Sequence, residues 1–288
     1  MNSYVKPEEE SPRRRTEPSE AMTEIAIETN ASPLKRFGVL VYGIICYASF
    51  LATLLYALGF VGGFAVPKSM DTAPRGPLGL SLLVDLGLLA VFAVQHSGMA
   101  RPAFKRQLVR LIPAAAERST YVLLSSAALL LLFWSWRPLG GDIWRVEQPL
   151  GAALLYAGFA FGWGLVLVTT FAINHFDLFG LRQVWLFFRG QHYRPLRFVT
   201  PGLYRIVRHP LYLGWLCAFW FTPHMTATHL LFALVTTIYI LLAIRWEERD
   251  LIDVHGAAYL RYRQRTPMIV PRLTGAPASE TSRAMRST

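Results

Sequence analysis

The chain has 288 residues, 53% of them hydrophobic and only 16% charged, with a formal net charge of +11. Soluble domains average about 45–50% apolar and about 25% charged, so the composition excludes an ordinary soluble enzyme. The surplus Lys and Arg fall between long uncharged stretches rather than in a basic domain, which excludes nucleic acid as a partner and points to membrane topology and anionic lipid headgroups.

In chain order, residues 1–34 are polar and rich in Glu, Pro, Ser and Arg (SPRRRTEPSE), and read as a disordered cytoplasmic tail with no cleavable signal peptide. A membrane span takes about 20 apolar residues. Four segments meet that test: Phe37 to Val66, Leu78 to His96, Thr120 to Trp136, and Leu150 to Ile173. Aromatic residues near their ends, such as Phe37, Trp134 and Trp144, suit the interfacial belts. A fifth apolar region, Leu211 to Ile244, is broken by Thr222-Pro223-His224. Proline removes a helical hydrogen bond and clashes with the preceding turn, so this region predicts a helix–turn–helix hairpin. The fold expected is all-α: a polytopic membrane bundle of five to six helices over 35–273, followed by a disordered tail at 274–288. Cys46 and Cys217, the only cysteines, lie in apolar runs without a ligand set, so no metal site is expected.

Orientation follows from the connecting segments. Five Lys and Arg residues follow the second span and six follow the fourth, against two in each of the other connections. The positive-inside rule puts the richer loops and both termini in the cytoplasm. Every polar stretch dense enough for chemistry then lies on one face, within about 174–272.

The first such stretch reads NHFDLFGLRQVW from Asn174, then TPGLYRIVRHPLYLGW from Thr200. Pro210 is well placed in a helix's first turn, which sets His209 at the helix mouth beside backbone N–H groups that favour an anion. The second stretch, EERDLIDVHGAAYLRYRQRTPMIVP, begins at Glu247. Glu247 and Glu248 are expected to end the hairpin's second helix, where carboxylates oppose the dipole and call for a cation. His96, His224 and His229 read as interfacial. Tyr259 and Tyr262 read as a surface amphipathic piece.

RHPLYLGW, then EE at the end of the next helix, then GAAYLRY with a late proline, resembles the isoprenylcysteine carboxyl methyltransferase superfamily, over roughly residues 200–271. Within it, NHFDLFGLRQVW and FWFTPHMT (Phe219 to Thr226) resemble the bacterial membrane methanethiol S-methyltransferases, relatives of the NnrU proteins. The resemblance implies a methyl transfer from S-adenosyl-L-methionine to a small thiol at the cytoplasmic face of the bacterial inner membrane. Carried over residue by residue, it implies cofactor contacts at Phe198, Val199, Tyr204, His209, Pro210, Leu211, Tyr212 and Glu247. It also implies that the segment holding Tyr259 and Tyr262 closes the cofactor site. The carboxyl methyltransferases carry an arginine one turn before the Glu pair, and Ala243 stands there, which counts against a prenylated carboxylate acceptor.

A thiol must be ionised to act as a nucleophile. Candidates for that work are His175, Arg182, Arg245 and Glu248, with Arg182 or Arg245 holding the thiolate while His175 takes its proton. Asn174 and Asp177 are assigned to the acceptor. Other readings remain: a loop anchored at the headgroups, another methyl acceptor (prenylcysteine carboxylate, phospholipid amine, other small thiol), or a non-catalytic NnrU-like membrane protein. The oligomeric state is not read from the sequence.

Overall fold

A computed structural model describes residues 31–72, 76–194 and 202–271. The expected contacts Phe198 and Val199, and most of both tails, lie outside the described residues. Helix α1, Pro33–Gly62, opens with the Ser32 hydroxyl accepting from the Lys35 amide and proline in its first turn. It stops at Gly63, whose φ of 73° is the left-handed conformation that glycine tolerates; this ends the helix before the predicted Val66.

Four further helices are long and apolar enough to cross a membrane: α2 (Leu78–Ala100), α4 (Glu117–Ser135), α5 (Pro149–Ile173) and α9 (Ala227–His255). A short helix α3 (Pro102–Leu108) links α2 to α4. The segments α6 (His175–Leu178) and α7 (Leu181–Phe188) follow α5, and α10 (Ala257–Arg265) follows α9. Outward side chains such as Leu83 and Val94, 70% and 73% exposed, are apolar on the spans, which suits lipid rather than water. The chain forms an integral membrane helical bundle.

The predicted break is present. Helix α8 (Pro210–Trp220) has 11 residues, about 16 Å at 1.5 Å per residue, so it cannot cross a core of about 30 Å by itself. The chain then runs extended into β2 (His224–Thr226), which pairs antiparallel with β1 (Asp142–Arg145), Trp144 opposite Met225 and Arg145 opposite His224. Strand β1 joins α4 to α5 at the end of the bundle away from α6 and α7, so the hairpin reaches that far end. This ribbon has no counterpart in the predicted all-helical layout.

Helices α5 and α8 pack backbone to backbone. A Cβ on Gly162 would come 2.5 Å from the Ala218 amide nitrogen, and one on Gly214 2.9 Å from the Gly162 carbonyl oxygen. Small residues allow such approach between membrane helices, where dispersion rather than water drives association. The far half of the bundle is filled by Phe60, Phe133, Trp136, Phe219 and Phe232, with Phe60 and Phe133 ring centroids 4.7 Å apart.

Three expectations are corrected here. Helix α9 runs to His255, so Glu247 and Glu248 lie two turns inside it and do not meet the C-terminal dipole. His229 is buried and donates from Nε2 to the Phe219 carbonyl at 2.8 Å, because it is on the first turn of α9 facing α8. Helix α2 continues a turn past His96, which therefore faces the bundle interior instead of the interface.

Candidate functional site

The start of α8 is held by a clamp centred on Arg208. Its Nε donates to Glu248 Oε1 at 2.8 Å, and its Nη1 donates to the carbonyls of Arg263 (3.0 Å) and Thr266 (2.6 Å). The two side chains are only 10% and 12% exposed, so the pair is shielded and its geometry matters. Two backbone bonds add to it: Arg208 N–H donates to the Pro267 carbonyl and His209 N–H to that of Met268. The late proline segment is thereby laid along the entry to α8. Glu248 Oε1 also accepts from His209 Nε2 at 3.1 Å, which leaves His209 Nδ1 on the side of Glu247, 3.8 Å from its Oε2.

Because Pro210 begins α8 and no side chain caps it, the amides of Leu211 and Tyr212 have no partner among the described residues. Uncapped first-turn N–H groups attract a carboxylate. Glu247 is 47% exposed at its side chain and interacts with the Tyr212 hydroxyl. The Tyr204 phenol, pushed up by burial and then by Glu247, completes this side, and the Tyr262 hydroxyl donates to the Tyr204 carbonyl at 2.6 Å. Burial pushes Tyr262 itself up to about 12. Tyr259 is buried and Tyr262 half-buried, so α10 closes the site rather than floating on the surface.

Beyond Tyr212 lies a partly open cavity of about 320 Å³ between α1, α2, α4, α5, α8 and α9. Its wall is aromatic and aliphatic, with Trp163 edge-on to Trp215 at 5.2 Å, and none of its lining residues is Lys, Arg, Asp or Glu. Its polar lining includes His96, Tyr121, Ser125, His175 and Tyr239.

His175 lines the same cavity. It follows Asn174, whose φ of 137° is unusual for a residue with a side chain and whose Oδ1 accepts from the Asp177 amide. The Thr170 hydroxyl spends its hydrogen on the Leu167 carbonyl (2.7 Å), so it accepts from His175 Nδ1 at 2.8 Å, and Nε2 in turn accepts from the Tyr47 hydroxyl at 2.8 Å. Burial holds the imidazole below its ordinary value, in its neutral form. Both nitrogens are thus occupied by the protein.

The remaining candidates lie elsewhere. Arg182 donates to Asp177 Oδ1 at 2.7 Å and covers the Tyr193 ring, and Tyr193 also donates to Asp177. These three form a knot within one connecting loop. Arg245 is exposed on α9 and makes no ion pair among the described residues. The structure therefore brings together Tyr204, His209, Leu211, Tyr212 and Glu247, with Glu248 as their tie. It sets His175 on the cavity and keeps Asn174, Asp177, Arg182 and Arg245 away from the cavity wall.

A family model described as NnrU protein matches residues 85–271. The chain belongs to the NnrU protein family. It is 55% identical over 238 residues to a protein of Crocosphaera subtropica named methanethiol S-methyltransferase, covering 83% of this chain and 93% of that one. A Mycobacterium tuberculosis protein of the same name is 52% identical over 83% of this chain and 98% of its own. Nurim of Xenopus laevis is 31% identical over 62% of the chain and 63% of that protein. No solved structure matches significantly. By these relatives the chain is a thiol methyltransferase, as its motifs imply.

The stretch shared with the NnrU family holds every residue of the clamp, whereas α1, which supplies Tyr47, precedes it. Sequence reasoning missed Arg208 as the hub, Tyr47 and Thr170 as the partners of His175, and Tyr121, Ser125 and Tyr239 as lining of the cavity. The available signal was polar side chains inside apolar spans, which cost too much in lipid to be idle.

Proposed function

We propose that this protein methylates methanethiol to dimethyl sulfide, with S-adenosyl-L-methionine as donor, at the cytoplasmic face of a bacterial inner membrane. The observation that carries this is the continuity of two unlike spaces at Tyr212: a polar recess suited to an amino acid and an apolar cavity suited to a small thiol. The free amides of Leu211 and Tyr212 suit the donor's carboxylate, Glu247 suits its ammonium, and Tyr204 and Tyr212 offer ring faces. Bound there, the donor supplies a methyl carbon already activated by a positive sulfur. The protein's share is then to align the two sulfurs and exclude water. Glu248 and Arg208 act as positioning residues, fixing the turn from which His209 and the α8 amides project.

A small thiol is favoured over a prenylated acceptor, since Ala243 offers no cation for a carboxylate. The cytoplasmic orientation rests on the Lys and Arg counts and on both ends of the described chain meeting at the site end, where the donor would be drawn from the cytosol. Headspace gas chromatography of membranes given methanethiol and S-adenosylmethionine tests the reading. Dimethyl sulfide from the wild type, lost with Glu247→Ala, is expected. No product from wild-type membranes that contain the folded protein would overturn it.

A further inference from the structure

We propose that His96, backed by Tyr121, is the proton acceptor for the thiol, which lies in the apolar cavity with its sulfur against the imidazole. The proposal rests on the thiol methyltransferase reading and adds to it a second half of the site. His96 belongs to the penultimate turn of α2 and lines the cavity, with Phe92 stacked on its ring at 5.2 Å. The Tyr121 hydroxyl is 2.9 Å from His96 Nε2 and 3.0 Å from Nδ1. One hydroxyl cannot lie in the ring plane along the axes of both nitrogens, so it approaches across the ring. The Ser125 hydroxyl is 3.3 Å from Nδ1, which leaves Nε2 without a second partner among the described residues. An ionisable side chain within a membrane span is a functional group by default.

The alternatives are spent. His175 has both nitrogens engaged, Arg182 is tied to Asp177, and no cation lines the cavity to hold a free thiolate. A thiolate formed there would be costly in so apolar a space, so proton loss must accompany methyl transfer. The thiol's S–H bond breaks and its proton passes to His96 Nε2. The sulfur's electron pair forms the bond to the methyl carbon while that carbon's bond to the donor's sulfonium breaks. A neutral thioether leaves, the donor becomes a neutral sulfide, and the imidazolium returns its proton to water. The groups around His96 are Phe92 on its own helix and Tyr121 and Ser125 on α4, and Tyr121 in turn feels Arg118 and Glu117 on α4 and Tyr239 on α9. The Tyr239 hydroxyl is bonded to Ser97 at 2.8 Å; among the cavity-lining groups His96 is the imidazole whose partner at Nε2, the Tyr121 hydroxyl, lies across the ring and off the lone-pair axis.

The test is His96→Gln in purified protein. Binding of S-adenosylmethionine should stay within about twofold, while turnover of methanethiol at pH 7 falls about 100-fold or more, the usual scale for a lost general base. That deficit should shrink about tenfold per pH unit as solution thiolate accumulates, and should shrink likewise with trifluoroethanethiol, a more acidic thiol. Wild-type turnover, or a deficit equal at every pH and for both thiols, would overturn the proposal. A second readout needs no turnover: in nitrogen-15 histidine spectra of donor-free protein, the resonance that His96→Gln removes should shift on adding ethanethiol. A resonance that stays still overturns the proposal, and the conservative His96→Asn variant supplies the same assignment should His96→Gln fold poorly. Absence of thioether from the unsubstituted protein is a different failure, since it removes the thiol methylation reading and this step with it.

Discussion

Two of the Arg–carboxylate pairs at the site end of this bundle differ in reach. Arg182 takes Asp177 from five residues earlier in the same loop, with Tyr193 stacked against it. Arg208 takes Glu248 from the next long helix and two carbonyls of the segment beyond it, spanning separations of 40, 55 and 58 residues. The first pair shapes a local turn. The second joins three helices around the recess that ends at Tyr212. Distance along the chain, more than charge or exposure, separates a loop fastener from a tie that builds a site.

Removing the long-range tie should have the largest effect. Arg208→Ala leaves Glu248 largely buried without its guanidinium, and breaking such a pair costs about 3–5 kcal/mol. A large fall in the thermal midpoint of the detergent-solubilised protein should result, together with loss of donor binding. Arg208→Lys should not rescue it, because a single ammonium cannot serve a carboxylate and two carbonyls in the fork geometry of arginine.

His175 lies between the two regions and gives an intermediate effect that depends on pH. Its burial keeps the folded imidazole below its ordinary 6.5. Below that value the unfolded chain takes up a proton that the fold resists, so stability falls as pH drops from 7 toward 5. His175→Gln should flatten that part of the profile of thermal midpoint against pH; an unchanged slope would contradict the neutral tautomer assigned from Thr170 and Tyr47.

Arg182→Ala should do least. The pair is partly exposed, at 28% and 16%, and exposed pairs are worth under about 1 kcal/mol. Turnover within about twofold of wild type is expected in the headspace assay, and a larger loss would return Arg182 to the chemistry.

The spans were legible because about 20 apolar residues are needed to cross a bilayer and little else produces such runs. Pro210 and Pro223 marked the start of α8 and the break after it for the same local reason, the missing N–H. The α8 recess was legible through its motif residues, His209, Tyr212 and Glu247. What stayed hidden depends on contacts far apart in sequence. The β1–β2 ribbon pairs Asp142 with Thr226, and no local pattern announces it. Nor does hydropathy say which way a polar residue on an apolar helix points, so His96 and His229 passed for interfacial groups. The end of α9 was misjudged because two adjacent carboxylates resemble a boundary, whereas Glu248 is held inside the clamp by Arg208.

The most direct test compares equilibrium binding of S-adenosylmethionine to the wild type, Glu247→Ala and Arg182→Ala. The account predicts affinity at least about tenfold weaker for Glu247→Ala, about the 1.4 kcal/mol at which a lost charged contact registers, and within about twofold of wild type for Arg182→Ala. Donor binding that survives Glu247→Ala and fails with Arg182→Ala would place the cofactor on the connecting loop and contradict the site described at α8.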